Sequence, residues 1–241
     1  MVYNYSKESG DIDEKAYNSN INVQKVWQRT RVNWILENVS QNCKTILDAG
    51  CGSGVISLKL SENKKEVYAC DISENAINFL NKKIKEKNIK NIKTKLQNLN
   101  DKLNYKENMF DCVISGEVLE HLENPSKFLK EIKRILKNNG KLIITTPNYF
   151  SLWPIIEYLW SKIGMRNVLH QHVSKFNVTK IKRVLEEEGF KIEKLETLFI
   201  FMPFLVMLSE KFYNIGIKID KLISKLLNIG MIITVKARII K

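Results

Sequence analysis

Cysteine is scarce, with four residues in a chain of 241, and none of them stands at the CxxC spacing of a metal site. Cys43, Cys51, Cys70 and Cys112 lie instead in or beside apolar, strand-like runs, where a thiol packs as a small hydrophobe. That usage predicts reduced thiols and a cytoplasmic setting. No secretory leader is expected either, because residues 1–28 are polar and mixed in charge. The longest apolar run, Leu198–Leu208, is interrupted by Pro203 and falls well short of the ~20 residues that a spanning helix needs. A run of this kind can touch a membrane without crossing it, so peripheral contact at the inner membrane surface is a further expectation.

Clustered positive charge is also missing. Lys and Arg outnumber Asp and Glu by 39 to 26, a formal net charge of +13. A phosphate-binding groove gathers its cations, yet Lys64, Lys82, Lys90, Lys137 and Lys182 are scattered among Asn and Ile. The excess therefore reads as compositional bias, and nucleic acid is not an expected partner. Internal repeats and low-complexity linkers are absent as well. A hydrophobic share of 44% beside 27% charged residues gives a chain of this length a sizeable core. A single domain over 1–241 is expected, with an N-terminal helical segment at 1–44 and helical inserts at 149–172 and 203–230.

From residue 45 onward, short β-rich apolar runs alternate with amphipathic stretches, the pattern of βαβ units. Strands are predicted at Thr45–Ala49, Glu66–Cys70, Ile92–Leu96, Phe110–Ser115, Lys141–Thr146, Lys191–Phe201 and Met231–Ile240. Helices are predicted at Val23–Val39, after Gly54, at Glu74–Lys87, at Pro125–Lys137 and at Val178–Glu188. Asn139-Gly140 and Gly189 serve as stops for the last two. No helix-length crossover of the usual kind separates the last two strands. The expected fold is thus α/β, a doubly wound, mostly parallel seven-stranded sheet with the last strand antiparallel.

The run Asp48-Ala49-Gly50-Cys51-Gly52-Ser53-Gly54 carries an apolar strand straight into a glycine-rich turn and then a helix. Glycine there permits positive φ and a close approach of ligand to backbone. About 20 residues on, the second strand ends at Asp71, where a nucleotide-binding fold places an acid for ribose hydroxyls. Strand, turn and acid together point to a nucleoside cofactor at the carboxyl ends of the strands.

The same run resembles motif I of class I S-adenosylmethionine-dependent methyltransferases, whose turn is GxGxG. Phe110-Asp111-Cys112-Val113-Ile114-Ser115 resembles their fourth strand, and Thr145-Thr146-Pro147-Asn148 the end of their fifth. Gly116-Glu117-Val118-Leu119-Glu120-His121-Leu122 followed by Asn124-Pro125 is similar to the ubiquinone-biosynthesis O-methyltransferases and their wider relatives. The resemblance implies a Rossmann-like fold and S-adenosylmethionine bound by Arg31, Asp48, Gly50, Gly52, Gly54, Asp71, Ile72, Asn98, Leu99, Ser115 and Gly116. Arg31 fits the arginine for the methionine carboxylate, a bidentate task that suits a guanidinium, although Arg29 competes for it. Asn98 departs from the acid usual at that place, while its carbonyl oxygen can still accept from an adenine amino group.

For an acceptor that must lose a proton, His121 is the candidate base, since imidazole titrates near neutral pH. Glu117, Glu120 and His121, at i, i+3 and i+4, would share one face of a helix. The resemblance ties this Glu-x-x-Glu-His pattern to a divalent cation, with His170 or His172 as a further ligand, but the spacing also arises without metal. The insert at 149–172 is rich in Trp, Ile and Leu, which suits either an apolar acceptor or packing on the core. In the later insert Phe212, Ile215, Ile219, Leu222, Leu226 and Ile229 recur at helical spacing, with Lys211, Lys218, Lys221 and Lys225 on another face. Such a helix rests on an anionic membrane or packs on its own sheet. The expected activity is methyl transfer, favouring oxygen, to a small apolar acceptor. RNA 2′-O-methylation and a non-catalytic, membrane-associated cofactor-binding module are the alternatives.

Overall fold

The computed structural model describes residues 9–20, 22–162 and 172–240. Seven strands form one sheet: β1 Thr45–Ala49, β2 Glu66–Asp71, β3 Ile92–Leu96, β4 Phe110–Gly116, β5 Leu136–Pro147, β6 Phe190–Leu198 and β7 Ile232–Ile239. Their order is β3-β2-β1-β4-β5-β7-β6. The pairs from β3 through β5 are parallel, and β7 runs antiparallel to both β5 and β6. This is the expected doubly wound sheet with its last strand reversed.

Helices cover both faces because consecutive residues of each central strand are apolar and point to opposite sides. Ile46, Cys112, Ile114 and Ile143 point to one side, where they meet α2 (Asn22–Asn38), α3 (Val55–Glu62) and α4 (Glu74–Glu86). Leu47, Val113, Leu142 and Ile144 point to the other, against α5 (Pro125–Ile135) and α7 (Val178–Glu187). Strands so enclosed read as near-continuous apolar runs. Side-chain caps start three of the helices: Ser73 Oγ accepts from Ala76 N, Asn124 Oδ1 from Lys127 N, and Asn177 Oδ1 from Lys180 N. All four cysteines are free and buried.

Two boundaries differ from expectation. Asn139-Gly140 does not end α5. The helix stops at Ile135, and Leu136, fully buried, already pairs with Phe110 as the first residue of β5. The register then shifts before Cys112 pairs with Lys141, and Asn139 adopts φ +59° within that irregularity. Burial of Leu136 outweighs the local stop signal. Likewise β6 ends at Leu198 rather than Phe201, because Phe199 takes φ +66° and turns the chain out of the sheet.

Three helices fill the inserts: α6 (Trp153–Lys162), α8 (Met202–Leu208) and α9 (Tyr213–Leu227). Trp153, Phe199, Met202, Val206 and Met231 make a small separate core. Trp27 of α2 stacks on Phe199 at 4.2 Å between centroids. A short helix ahead of these, α1 (Ile12–Tyr17), lay in the polar segment that gave no periodic signal. The N-terminus of α8 is held by Asp220 of α9, whose carboxylate accepts from Ile200 N (2.9 Å), Phe201 N (2.8 Å) and Met202 N (3.2 Å). Replacing Asp220 with Ala strands three largely buried donors, at about 1–3 kcal/mol each when uncompensated. We expect a clearly lowered thermal midpoint for Asp220→Ala, read by circular dichroism; an unchanged midpoint would show that the α8–α9 junction does not depend on this carboxylate.

Candidate functional site

Between β1 and β4 the strand order reverses, and in a doubly wound sheet the crevice outside the carboxyl ends at that point is where ligands bind. A cleft of about 350 Å³ lies there. One wall is the turn after β1. Gly50, Gly52 and Gly54 have φ of +79°, +50° and +81°, values that a side chain disfavours. A Cβ on Gly50 would also fall 2.3 Å from Val118 Cγ2. The turn is fastened to β2, since Gly50 N and Cys51 N both donate to Cys70 O, at 2.8 and 3.0 Å.

Asp71 completes this wall. Its Oδ2 accepts from Gly52 N and its Oδ1 from Ser73 N, both at 2.8 Å. Burial raises its pKa, while those two amides oppose the rise. Each carboxylate oxygen keeps a lone pair for a further donor, and Asp71 lines the cleft. Asp48 is placed differently. It sits behind the turn, almost fully buried, accepting from Ser57 Oγ of α3 at 2.6 Å, and it is not among the cleft-lining residues. Burial pushes its carboxyl up to about 6.

Of the other residues singled out in the sequence, Arg31, Ile72, Asn98, Leu99 and Gly116 line the same cleft, and Gly54 and Ser115 do not. Arg31, on α2, is buried, and its Nη2 donates to Gln28 Oε1 at 2.8 Å. A Cβ on Gly116 would stand 3.1 Å from Arg31 Nη1, so the missing side chain at the end of β4 is what lets the guanidinium reach this depth. Arg29 instead donates to Tyr17 O, at 3.3 Å. Asn98 Oδ1 accepts from Asn100 N at 3.0 Å, which leaves one of its lone pairs for a ligand.

Glu117, Glu120 and His121 do not share a helix face, contrary to the spacing argument. Glu117 has φ +58°, and only Leu119–His121 form a single 3₁₀ turn. The strand's end is held instead by Glu117 N donating to Thr145 O at 2.9 Å. Glu117 and His121 face the cleft, whereas Glu120 turns inward, 1% exposed, with its Oε2 accepting from Thr146 Oγ1 at 2.9 Å. Its Oε1 and Glu117 Oε1 are buried without a hydrogen-bond partner. Burial first, and the neighbouring Glu117 charge second, push the Glu120 carboxyl well above the usual range.

His172 arrives from the far side of the first insert. Ser174 N donates to Glu120 O at 2.9 Å and Ser174 Oγ to Leu122 O at 3.1 Å, which sets the His172 ring 5.0 Å from that of His121. Tyr149 Oη lies 2.7 Å from His172 Nδ1. Glu120, His121 and His172 each offer a ligand atom, all within 4.8 Å of one another. His170 lies outside the described residues.

The sequence did not single out Asp13. Its Oδ2 accepts from Ser53 N at 3.1 Å, so α1 forms a further wall of the cleft. Nothing in the polar segment around it marks the residue. Gln28 was missed as well, although its place three residues before Arg31 on one helix face would have paired the two.

A family model for a methyltransferase domain matches residues 40–194. The chain is 30% identical over 183 residues to a ubiquinone biosynthesis O-methyltransferase of Rickettsia bellii, covering 70% of this chain and 72% of that protein. It is 23% identical over 173 residues to the protein of the same name in Acinetobacter baylyi, covering 68% and 71% respectively. A solved SAM-dependent methyltransferase from Aquifex aeolicus shares the fold, with a TM-score of 0.59 at 19% identity over 90% of this chain and 98% of that one.

The raised carboxyl of Asp48 yields a pH test. A buried acid that titrates near 6 rather than 3.8 contributes most to stability below pH 4, and that contribution is lost as the pH rises through about 6. Two units correspond to about 3 kcal/mol. Asp48→Asn has no such proton to lose. The stability of the parent chain relative to this variant should therefore fall between pH 4 and pH 7 in urea titrations, and a constant difference would contradict the assignment.

Proposed function

The chain belongs to the S-adenosylmethionine-dependent methyltransferases, and from that premise we propose that the cleft transfers a methyl group to an oxygen of a small, apolar acceptor. The observation that carries the reading is the meeting of two groups in one cleft: the glycine turn with Asp71, and Glu117 with His121. In this reading the Asp71 carboxylate accepts from the ribose hydroxyls, and the Gly50–Gly52 backbone lies along the donor. Arg31 pairs with the methionine carboxylate, and Asn98, Leu99 and Ile72 border the adenine. Asp48, Gly54 and Ser115 act from behind, by shaping the turn and the strand end.

The step is an in-line displacement. The methyl–sulfur bond breaks, an oxygen–methyl bond forms, and the proton leaves the acceptor hydroxyl for a nitrogen of His121. Holding donor and acceptor in line supplies much of the acceleration, and an imidazole within reach of the hydroxyl supplies general-base catalysis. The ubiquinone-biosynthesis relatives support a phenolic acceptor bearing an apolar tail. Tyr149 and Trp153 pack near His172, with ring centroids 6.1 and 6.5 Å from it.

The donor set also suits a divalent cation. Two buried carboxylate oxygens without a hydrogen bond among the described residues, and two imidazoles, one of them 3.9 Å from Glu120 Oε1, are what such an ion satisfies. Glu120, His121 and His172 would hold it, with Glu117 adjoining, and His121 would then serve as a ligand instead of as the base. When bound, it supplies Lewis-acid stabilisation to an acceptor oxygen.

Two measurements test this reading. In titration calorimetry with S-adenosylmethionine, Asp71→Ala should weaken binding about tenfold or more, and equal affinity would remove Asp71 from the donor site. With labelled donor and a prenylated catechol, His121→Ala should lower kcat about a hundredfold while donor affinity stays within about twofold. No methylated product from the parent chain with any phenolic acceptor would overturn the choice of oxygen. Chelation followed by metal replacement, with the bound metal counted by elemental analysis, decides the cation.

A further inference from the structure

The second insert buries apolar side chains inward and leaves a further apolar face outward. Among the described residues of α9 the buried positions are Gly216, Asp220 and Ser224, one turn apart, while Phe212 just before it and Ile215, Ile219 and Leu222 stand 37–67% exposed. A surface helix of a water-soluble protein carries the opposite arrangement. Tyr213 and Ile217 pack inward on the small core, and the small and polar residues beside them have their own reasons. A Cβ on Gly216 would approach Met202 Cα to 3.0 Å, and Asp220 is spent on the N-terminus of α8. The apolar stripe therefore has no partner within the described residues.

This stripe is not isolated. Fifteen large apolar side chains stand exposed among the described residues, four of them in 150–158 and seven in 201–227. The two inserts that carry these eleven share the small core around Trp153, Phe199 and Met202, so their outer surfaces belong to one structural unit. Patches of this extent mark docking sites.

Charge selects the occupant. Lys211 and Lys218, at helical spacing beside the stripe, are exposed. The acid of α9 is turned inward. A second copy of the chain would bring these lysines against lysines, whereas anionic headgroups complement them while the stripe enters the acyl boundary. We propose that α8 and α9, with the outer side of α6, dock this protein on an anionic lipid surface without crossing it. No described helix is long and apolar enough to span a membrane.

Docking has a consequence for the acceptor, and this part rests on the proposed reaction. Trp153 packs in the insert core and its ring is 6.5 Å from His172, so the proposed acceptor end of the site adjoins the unit that carries the docking surface. A lipid-resident acceptor would enter from that side.

The experiment is co-sedimentation of the full chain with vesicles of phosphatidylcholine alone or mixed equally with phosphatidylglycerol. The parent should bind the mixed vesicles, and binding should weaken with added salt. Ile215→Asn combined with Leu222→Asn, both at exposed positions, should cut the vesicle affinity about tenfold or more and leave the thermal midpoint and S-adenosylmethionine affinity unchanged. Equal binding by parent and variant, or no binding by the parent, overturns the proposal. So does light scattering that shows a parent dimer dissolved by the same pair of substitutions, which would make a second copy the occupant. Vesicle binding without methylation of lipid-soluble phenols would keep the docking surface and refute only the entry route.

Discussion

The donation from Gly52 N to Asp71 Oδ2 is the contact on which the site's geometry depends. It joins the turn leaving β1 to the last residue of β2, and the neighbouring amides of Gly50 and Cys51 reinforce it by bonding Cys70 O. Three positive-φ glycines make the turn tight enough for those amides to reach. The same bond orients the carboxylate, so backbone path and acid are fixed together. Pre-organisation of this kind places the conformational cost in folding rather than in ligand binding.

Around that fixed corner the cleft is assembled from elements far apart in sequence. Arg31 comes from α2, Asp13 from α1, Glu117 from the end of β4 and His172 from beyond the first insert. Each depends on backbone bonds as much as on its own side chain. Gly116 makes room for the Arg31 guanidinium, and Ser174 ties the His172 segment to Glu120 and Leu122. Glu120 is the costly member. A fully buried carboxyl with one oxygen that accepts no hydrogen bond among the described residues persists only where the surrounding packing over-determines it, and such groups concentrate at functional sites.

Much of this was legible in the sequence because the signals were local. A strand running into GxGxG, an acid about 20 residues later and apolar runs alternating with amphipathic ones specify the sheet and its switch point. All seven strands and their polarity followed from that pattern. What escaped was decided by tertiary contacts. Leu136 joins β5 because a buried place opposite Phe110 exists, in spite of the Asn139-Gly140 stop. Glu117, Glu120 and His121 look helical in spacing, but the strand end holds Glu117 with φ positive. Asp13 sits in a segment with no periodicity at all. In α9, Ile215, Ile219 and Leu222 of the expected stripe share one exposed face while Ile229 lies beyond the helix end, and the sequence does not say that Asp220 would claim the inner side.

The cysteines carry a practical corollary. Cys43, Cys51, Cys70 and Cys112 are 8% exposed or less, so the folded surface presents almost no thiol to a maleimide or a spin label. One cysteine introduced on the outer side of α9 would then be the chief reactive handle on the native protein. A reporter attached there would give a single-site spectroscopic view of the inserts, without first stripping the core of its sulfur atoms.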